Sequence, residues 1–156
     1  MVTVGSRAPG FSLHRNRTDK VSLDDYRGKK VIVAFFPAAF TSVCQKELCT
    51  FRDSLADLSG LGAEVVAISV DSPFANAAFA EQHRLPFPVL SDYDRQATRA
   101  WGVELRDLAG LPGYVASQRA VFVVDREGIV RYAWVAPNPG VEPDYAAVRS
   151  AVAAIA

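Results

Sequence analysis

The stretch VIVAFFPAAFTSVCQKELCTFRDSLADLSGLGAEVVAISV, Val31–Val70, decides the fold. It opens on six apolar residues, Val31–Phe36, bounded by Gly28-Lys29-Lys30 and Pro37. A short, continuous apolar run between turn signals reads as a strand buried on both faces. Thr41 and Ser42 then offer N-caps. Leu48, Phe51, Leu55 and Leu58 follow at helical spacing, with Glu47, Arg52, Asp53 and Asp57 off that stripe. Gly60 and Gly62 stop the helix, and Glu64–Val70 reads as a second buried strand. Strand, helix and strand in this order form a parallel βαβ unit.

Outward from this unit the pattern continues. Ser72-Pro73 is a cap and first-position pair for a helix over Phe74–His83. Phe87–Asp92 reads as a short strand, Arg95–Val103 as a helix and Leu108–Gln118 as a loop. Arg119–Val135 gives two strands around the turn Asp125-Arg-Glu-Gly128, a hairpin. After the proline-rich break Pro137–Pro143, Asp144 caps a last helix running to Ile155. Before Val31 the chain is polar and turn-rich, with strand-like pieces at Phe11–Leu13 and Val21–Leu23. The order predicts an α/β protein with a mixed central sheet flanked by helices, on the thioredoxin-like plan. One domain over residues 1–156 is expected, since this length suits one core and no linker or repeat interrupts it.

Composition narrows the function classes. Half the residues are hydrophobic, 22% are charged and the formal net charge is zero. No basic excess exists to neutralise a phosphate backbone, so no nucleic-acid partner is expected. No apolar run is long enough for a bilayer span, and the first residues lack the pattern of a secretory signal, so no membrane partner and a cytoplasmic location are expected. Two cysteines in 156 residues do not make a disulfide framework.

Both cysteines lie five positions apart behind Pro37 and Thr41. Cys44 falls in the first turn of the expected helix, where free backbone N–H groups and the positive dipole end stabilise a thiolate. Thr41 can return a hydroxyl to the same pocket, and Pro37 stiffens the loop. A cysteine on a helix is usually inert packing. Cys49 alone fits that reading; for Cys44 the caps, the proline and the second thiol coincide and favour a reactive sulfur. A zinc site needs four ligands, and only His14 and His83 remain besides the thiols, so no metal is expected. C-x4-C also differs from the C-x-x-C of disulfide oxidoreductases.

The pattern P-x-x-x-T-x-x-C, here Pro37, Thr41 and Cys44, resembles the active-site signature of the peroxiredoxins. The resemblance extends to FFPAAF before the motif, ELCTFRD after it, Ala8-Pro9-Gly10-Phe11 near the start and Ser117–Tyr132 near the end. It implies a peroxiredoxin-type N-terminal extension on a thioredoxin-like fold, and a thiol-dependent peroxidase of hydrogen peroxide and organic hydroperoxides. By it, Cys44 resembles the peroxidatic cysteine that becomes a sulfenic acid, Thr41 the residue that positions the peroxide, and Pro37 the residue that shields the sulfur. Arg119 matches the active-site arginine. Without the resemblance, Arg119 reads as a strand-end arginine in solvent. Glu47 resembles the residue that orients this arginine, and reads equally as a first-turn glutamate favoured by the helix dipole.

Cys49 is the candidate resolving cysteine. On one regular helix the two Cα atoms stand roughly 8.5 Å apart, beyond the ~7 Å limit for a disulfide. Resolution by Cys49 therefore requires the first turns to unwind. The spacing is similar to that of the bacterioferritin-comigratory group, where some members use this second cysteine. The whole sequence also resembles the alkyl hydroperoxide reductase E group, whose members can pass the sulfenic acid to an external thiol. No cofactor is implied. The implied reductant is thioredoxin, a glutaredoxin-like protein or a small thiol, and the implied assembly is a homodimer or higher homo-oligomer. Phe36, Phe40 and Trp101 are candidates for an interface or for the core. Two further readings stand beside the peroxidase: a redox sensor or holdase triggered by the same sulfur, and an inert thioredoxin-like domain.

Overall fold

In the computed structural model, which describes residues 2–156, the apolar run of Val31–Phe36 becomes the centre of a sheet. The elements are β1 (Ser12–His14), β2 (Lys20–Ser22), β3 (Lys30–Phe35), α1 (Ser42–Gly60), β4 (Ala63–Ser69), α2 (Pro73–Gln82) and β5 (Val89–Ser91). They continue as α3 (Gln96–Ala100), β6 (Glu104–Leu105), β7 (Ala116–Ser117), β8 (Ala120–Val124), β9 (Val130–Val135) and α4 (Tyr145–Ala153). A seven-stranded sheet runs β2-β1-β5-β4-β3-β8-β9. β3, β4 and β5 are parallel, while β1, β8 and β9 pair antiparallel with their neighbours. The sheet is therefore mixed, as the order of elements predicts, and the N-terminal strands β1 and β2 extend its β5 edge.

Strand alternation splits the core into two layers. Val31, Val33 and Phe35 face one cluster with Trp101 and Phe122, and Ile32, Ala34 and Phe36 face the other with Val121 and Val123. α1 lies on the second layer through Cys44, Leu48, Phe51 and Leu58, alongside Phe79 of α2 and Val148 and Val152 of α4. The stripe spacing seen in the sequence is thus the packed face, and each buried Leu or Phe on it contributes ~1.5–3 kcal/mol.

Several boundaries and two elements differ from expectation. α3 is a single turn and a half rather than Arg95–Val103: Arg95 precedes it in the left-handed region at φ 62°, and Trp101 leaves it to enter the core. The expected loop at Leu108–Gln118 contains β7, which pairs with β6 as a separate two-stranded ribbon. Two-residue strands carry no readable period. The strand expected from Phe87 starts at Val89, after Pro88, which has no N–H for the ladder. Phe36 and Trp101 are fully buried and belong to the core; Phe40 is half exposed. Among the described residues, no helix is long and apolar enough to cross a membrane.

Candidate active site

β3 ends at Phe35, and the chain crosses the C-terminal edge of the sheet in the loop Pro37–Thr41 before entering α1. Thr41 stands at the N-cap position in extended conformation, yet its side chain caps nothing. Its hydroxyl instead donates to the Ala38 carbonyl at 2.7 Å. The hydroxyl is turned to the loop carbonyl, and no N–H of α1 donates to its oxygen. Two consequences follow. The first backbone N–H groups of α1 keep no side-chain acceptor, and the Thr41 oxygen is left with its lone pairs free to accept.

Cys44 is the third residue of α1 and only 1% exposed. Arg119 sits immediately before β8, whose pairing with β3 brings the arginine back beside the start of α1. The residue is 2% exposed rather than in solvent. One terminal nitrogen, Nη2, donates to Cys44 Sγ at 3.2 Å and to the Pro139 carbonyl at 2.7 Å. Nε donates to the same carbonyl at 3.2 Å. Nη1 donates to Glu47 Oε1 at 3.0 Å. The planar fork thus ties sulfur, carboxylate and carbonyl into one rigid unit. Burial works against the charge of Arg119, but Glu47 and the Cys44 sulfur hold its pKa above the ordinary arginine value.

Glu47 departs from its expected place off the packed stripe. One turn after Cys44, it is fully buried and points inward to Arg119. Its second oxygen, Oε2, has no hydrogen-bond partner among the described residues. Burial pushes its pKa up to about 7 against the pull of Arg119. A buried cation with a half-satisfied carboxylate leaves part of its field available to the sulfur.

Cys49 lies in the same unbroken helix, half-buried, and both thiols are free. Pro37 is buried in the loop ahead of them. The structure therefore brings Cys44, Glu47 and Arg119 into direct contact, with Pro37 and Thr41 on the adjoining loop and Cys49 further along the helix. A segment after β9 closes the far side: Glu142 pairs with Lys46 of α1 at 3.0 Å and accepts from the Tyr145 hydroxyl at 2.7 Å. Pattern reading missed this strap and the Pro139 carbonyl; neither leaves a signal, since one is a backbone group and the other a surface carboxylate. Among the described residues, no three of His, Cys, Asp and Glu stand close enough to hold a metal ion.

The AhpC/TSA family matches residues 4–133. A Mycobacterium tuberculosis protein whose name places it among the peroxiredoxins is 44% identical over 130 residues, covering 81% of each chain. The chloroplastic peroxiredoxin Q of Sedum lineare is 42% identical over 130 residues, 83% of this chain and 67% of its own. Among solved structures, peroxidoxin BcpB from Mycobacterium tuberculosis superposes with a TM-score of 0.86 at 27% identity, over 100% of this chain and 99% of that one.

Proposed function

The chain belongs to the AhpC/TSA family and is a peroxiredoxin, a thiol peroxidase, and from that premise we propose that Cys44 is its peroxidatic cysteine. The observation that carries this is the 3.2 Å contact between the Arg119 guanidinium and Cys44 Sγ, both residues being buried.

The Cys44 thiolate attacks the terminal oxygen of a hydroperoxide. The O–O bond breaks, sulfur gains the hydroxyl as a sulfenic acid, and the second oxygen leaves and takes a proton to become water or an alcohol. Arg119 balances the charge moving from sulfur to the leaving oxygen. The Thr41 oxygen, with its own proton on Ala38, accepts from the O–H of the substrate. The N–H groups of the first turn of α1, which take no side-chain cap, add their partial positive charge at the start of the helix that carries Cys44. Pro37 limits water at the sulfur, and Glu47 fixes the plane of Arg119.

For the second half-reaction we take Cys49 as the resolving thiol. Its thiolate attacks the sulfenic sulfur, water leaves and a disulfide forms, after the start of α1 unwinds. An external dithiol, thioredoxin or a glutaredoxin-like protein, or a small thiol, then restores both thiols. The protein acts in the cytoplasm as a homodimer or higher homo-oligomer, and the half-exposed Phe40 beside the site suits such an interface.

The test is peroxide consumption with a thiol reductant present. Cys44→Ser should abolish turnover. Turnover surviving that change would overturn the assignment, and a single stoichiometric oxidation without turnover would favour a sensor.

A further inference from the structure

Asp71 lies two residues beyond the end of β4, on the C-terminal edge of the sheet. One of its carboxylate oxygens, Oδ2, accepts the Ser69 hydroxyl at 2.6 Å and the backbone N–H of Ala39 at 2.8 Å. Ala39 belongs to the loop that carries Pro37 and Thr41. Asp71 is itself held by a network that spans β4, α2 and β5, in which Ser69 alone touches the carboxylate. Ser69, at the end of β4, also takes a hydrogen bond from Asn76 of α2 at 3.0 Å. Asn76 donates in addition to the Leu90 carbonyl of β5 at 3.0 Å, and the Ser91 hydroxyl donates to the Asp71 carbonyl. Ser69, Asn76 and Ser91 are buried.

This network is not there to start α2. Ser72 caps that helix, accepting the Ala75 N–H at 3.1 Å. Nor does Asp71 take part in an ion pair among the described residues; its carboxylate reaches the loop instead. The loop needs such a hold. Phe40, next to Ala39, sits at φ 63°, in the left-handed region that bulky residues avoid. A strained backbone of this kind persists only where its surroundings over-determine it. Here the Asp71 bond fixes one side, and the edge of the Phe40 ring on Phe79, 5.2 Å between centroids, fixes the other.

Resting on the peroxidase reading, we propose that Asp71 is a positioning residue that pins Ala39 and so sets the Pro37–Thr41 loop, and with it the Thr41 hydroxyl, against the Cys44 sulfur. Asp71 touches neither sulfur nor substrate. Ala39 is only half-buried, so water can replace the lost acceptor in a variant. What a variant loses is the register of the peroxide pocket, while the Arg119 contact that serves the sulfur is untouched.

Two rates measured on the same reduced protein separate these effects. One is oxidation of Cys44 by hydrogen peroxide, followed by stopped flow. The other is alkylation of Cys44 by iodoacetamide, mapped by peptide mass, which needs the sulfur but not the Thr41 geometry. Asp71→Ala should slow peroxide oxidation by ~10- to 100-fold, the scale of a 1 Å misplacement, and leave alkylation no slower than in the parent. Asp71→Asn, which keeps an acceptor oxygen for Ala39, should restore most of the peroxide rate. An Asp71→Ala protein that reduces peroxide like the parent, or slows in both reactions alike, overturns the proposal. So does an asparagine variant as slow as the alanine one. Should the alanine variant fail to fold, Asp71→Glu carries the test, because it keeps the charge and displaces the acceptor by one methylene. It should show the same selective slowing, and a parental peroxide rate would overturn the proposal. Failure of the peroxidase reading is visible separately, as a parent protein whose Cys44 does not oxidise rapidly, and it removes this inference with it.

Discussion

Replacing Glu47 by glutamine should change how stability depends on pH. Glu47 is fully buried, with Oε1 on Arg119 at 3.0 Å and Oε2 without a partner among the described residues. Burial raises its pKa from an ordinary 4.5 to about 7, with Arg119 pulling the other way. The folded state therefore prefers the protonated carboxyl more than the unfolded chain does. Its stabilising contribution is complete below the unfolded value of 4.5 and is lost as pH rises through about 7. The rise corresponds to about 3 kcal/mol over that window. A glutamine side chain at this position has no such titration and can still accept from Arg119.

Urea unfolding of the reduced parent and of Glu47→Gln at a series of pH values from mildly acidic to mildly alkaline measures this directly. The parent should lose about 3 kcal/mol relative to the variant across the window, or ~1.5 M in the urea midpoint for a slope of ~2 kcal/mol/M. Groups that titrate alike in both proteins cancel. Parallel curves would refute the reasoning, because they would mean that Arg119 fully offsets the burial. A parent that gains on the variant as pH rises would refute it more strongly, by showing that the ion pair outweighs desolvation.

Two further changes test other parts of the site. Arg119→Lys keeps the cation but loses the fork that reaches Cys44, Glu47 and Pro139 together; peroxide oxidation of Cys44 should fall by ~10²- to 10³-fold, and a rate within a few-fold of the parent would exclude Arg119 as the charge-balancing group. After one equivalent of hydrogen peroxide, the intact mass of the parent should fall by two hydrogens with a bridge at Cys44–Cys49, whereas Cys49→Ser should gain one oxygen; a parent that also gains one oxygen would place resolution in an external thiol.

The β3–α1–β4 unit was legible because each of its parts has a local cause. An all-apolar run makes a central strand, a stripe at 3–4 residue spacing makes a packed helix, and glycines end it. What stayed hidden depends on partners distant in sequence. Glu47 looks like a surface glutamate until Arg119, 72 positions away, supplies the buried cation. Arg119 in turn looks solvent-bound until β8 pairs with β3. Asp71 leaves no pattern because its target is the backbone N–H of Ala39, 32 positions earlier. Thr41 stands at the N-cap position that its residue type suggests, but the direction of its hydroxyl is set by loop geometry, which residue type does not reveal.

The missing cap links the two halves of the proposed cycle. A Ser or Thr cap ordinarily stabilises a helix by ~1 kcal/mol. α1 starts on Thr41 without that hydrogen bond, so its first N–H groups stay available to oxygens at the sulfur. The same omission makes the first turns easier to unwind, and unwinding is what a Cys44–Cys49 bridge requires. Oxidation adds to this. Arg119 donates to Cys44 Sγ at 3.2 Å, and an oxygen added to that sulfur changes the contact that holds this turn. Further along, the Phe51 ring packs edge-on against Tyr145 at 5.4 Å, beyond the segment that has to open. α1 thus lacks a cap hydrogen bond on its first turn, while Glu47 on Arg119 and Leu48 in the core hold the next turn, and those contacts have to give way before a Cys44–Cys49 bridge can form.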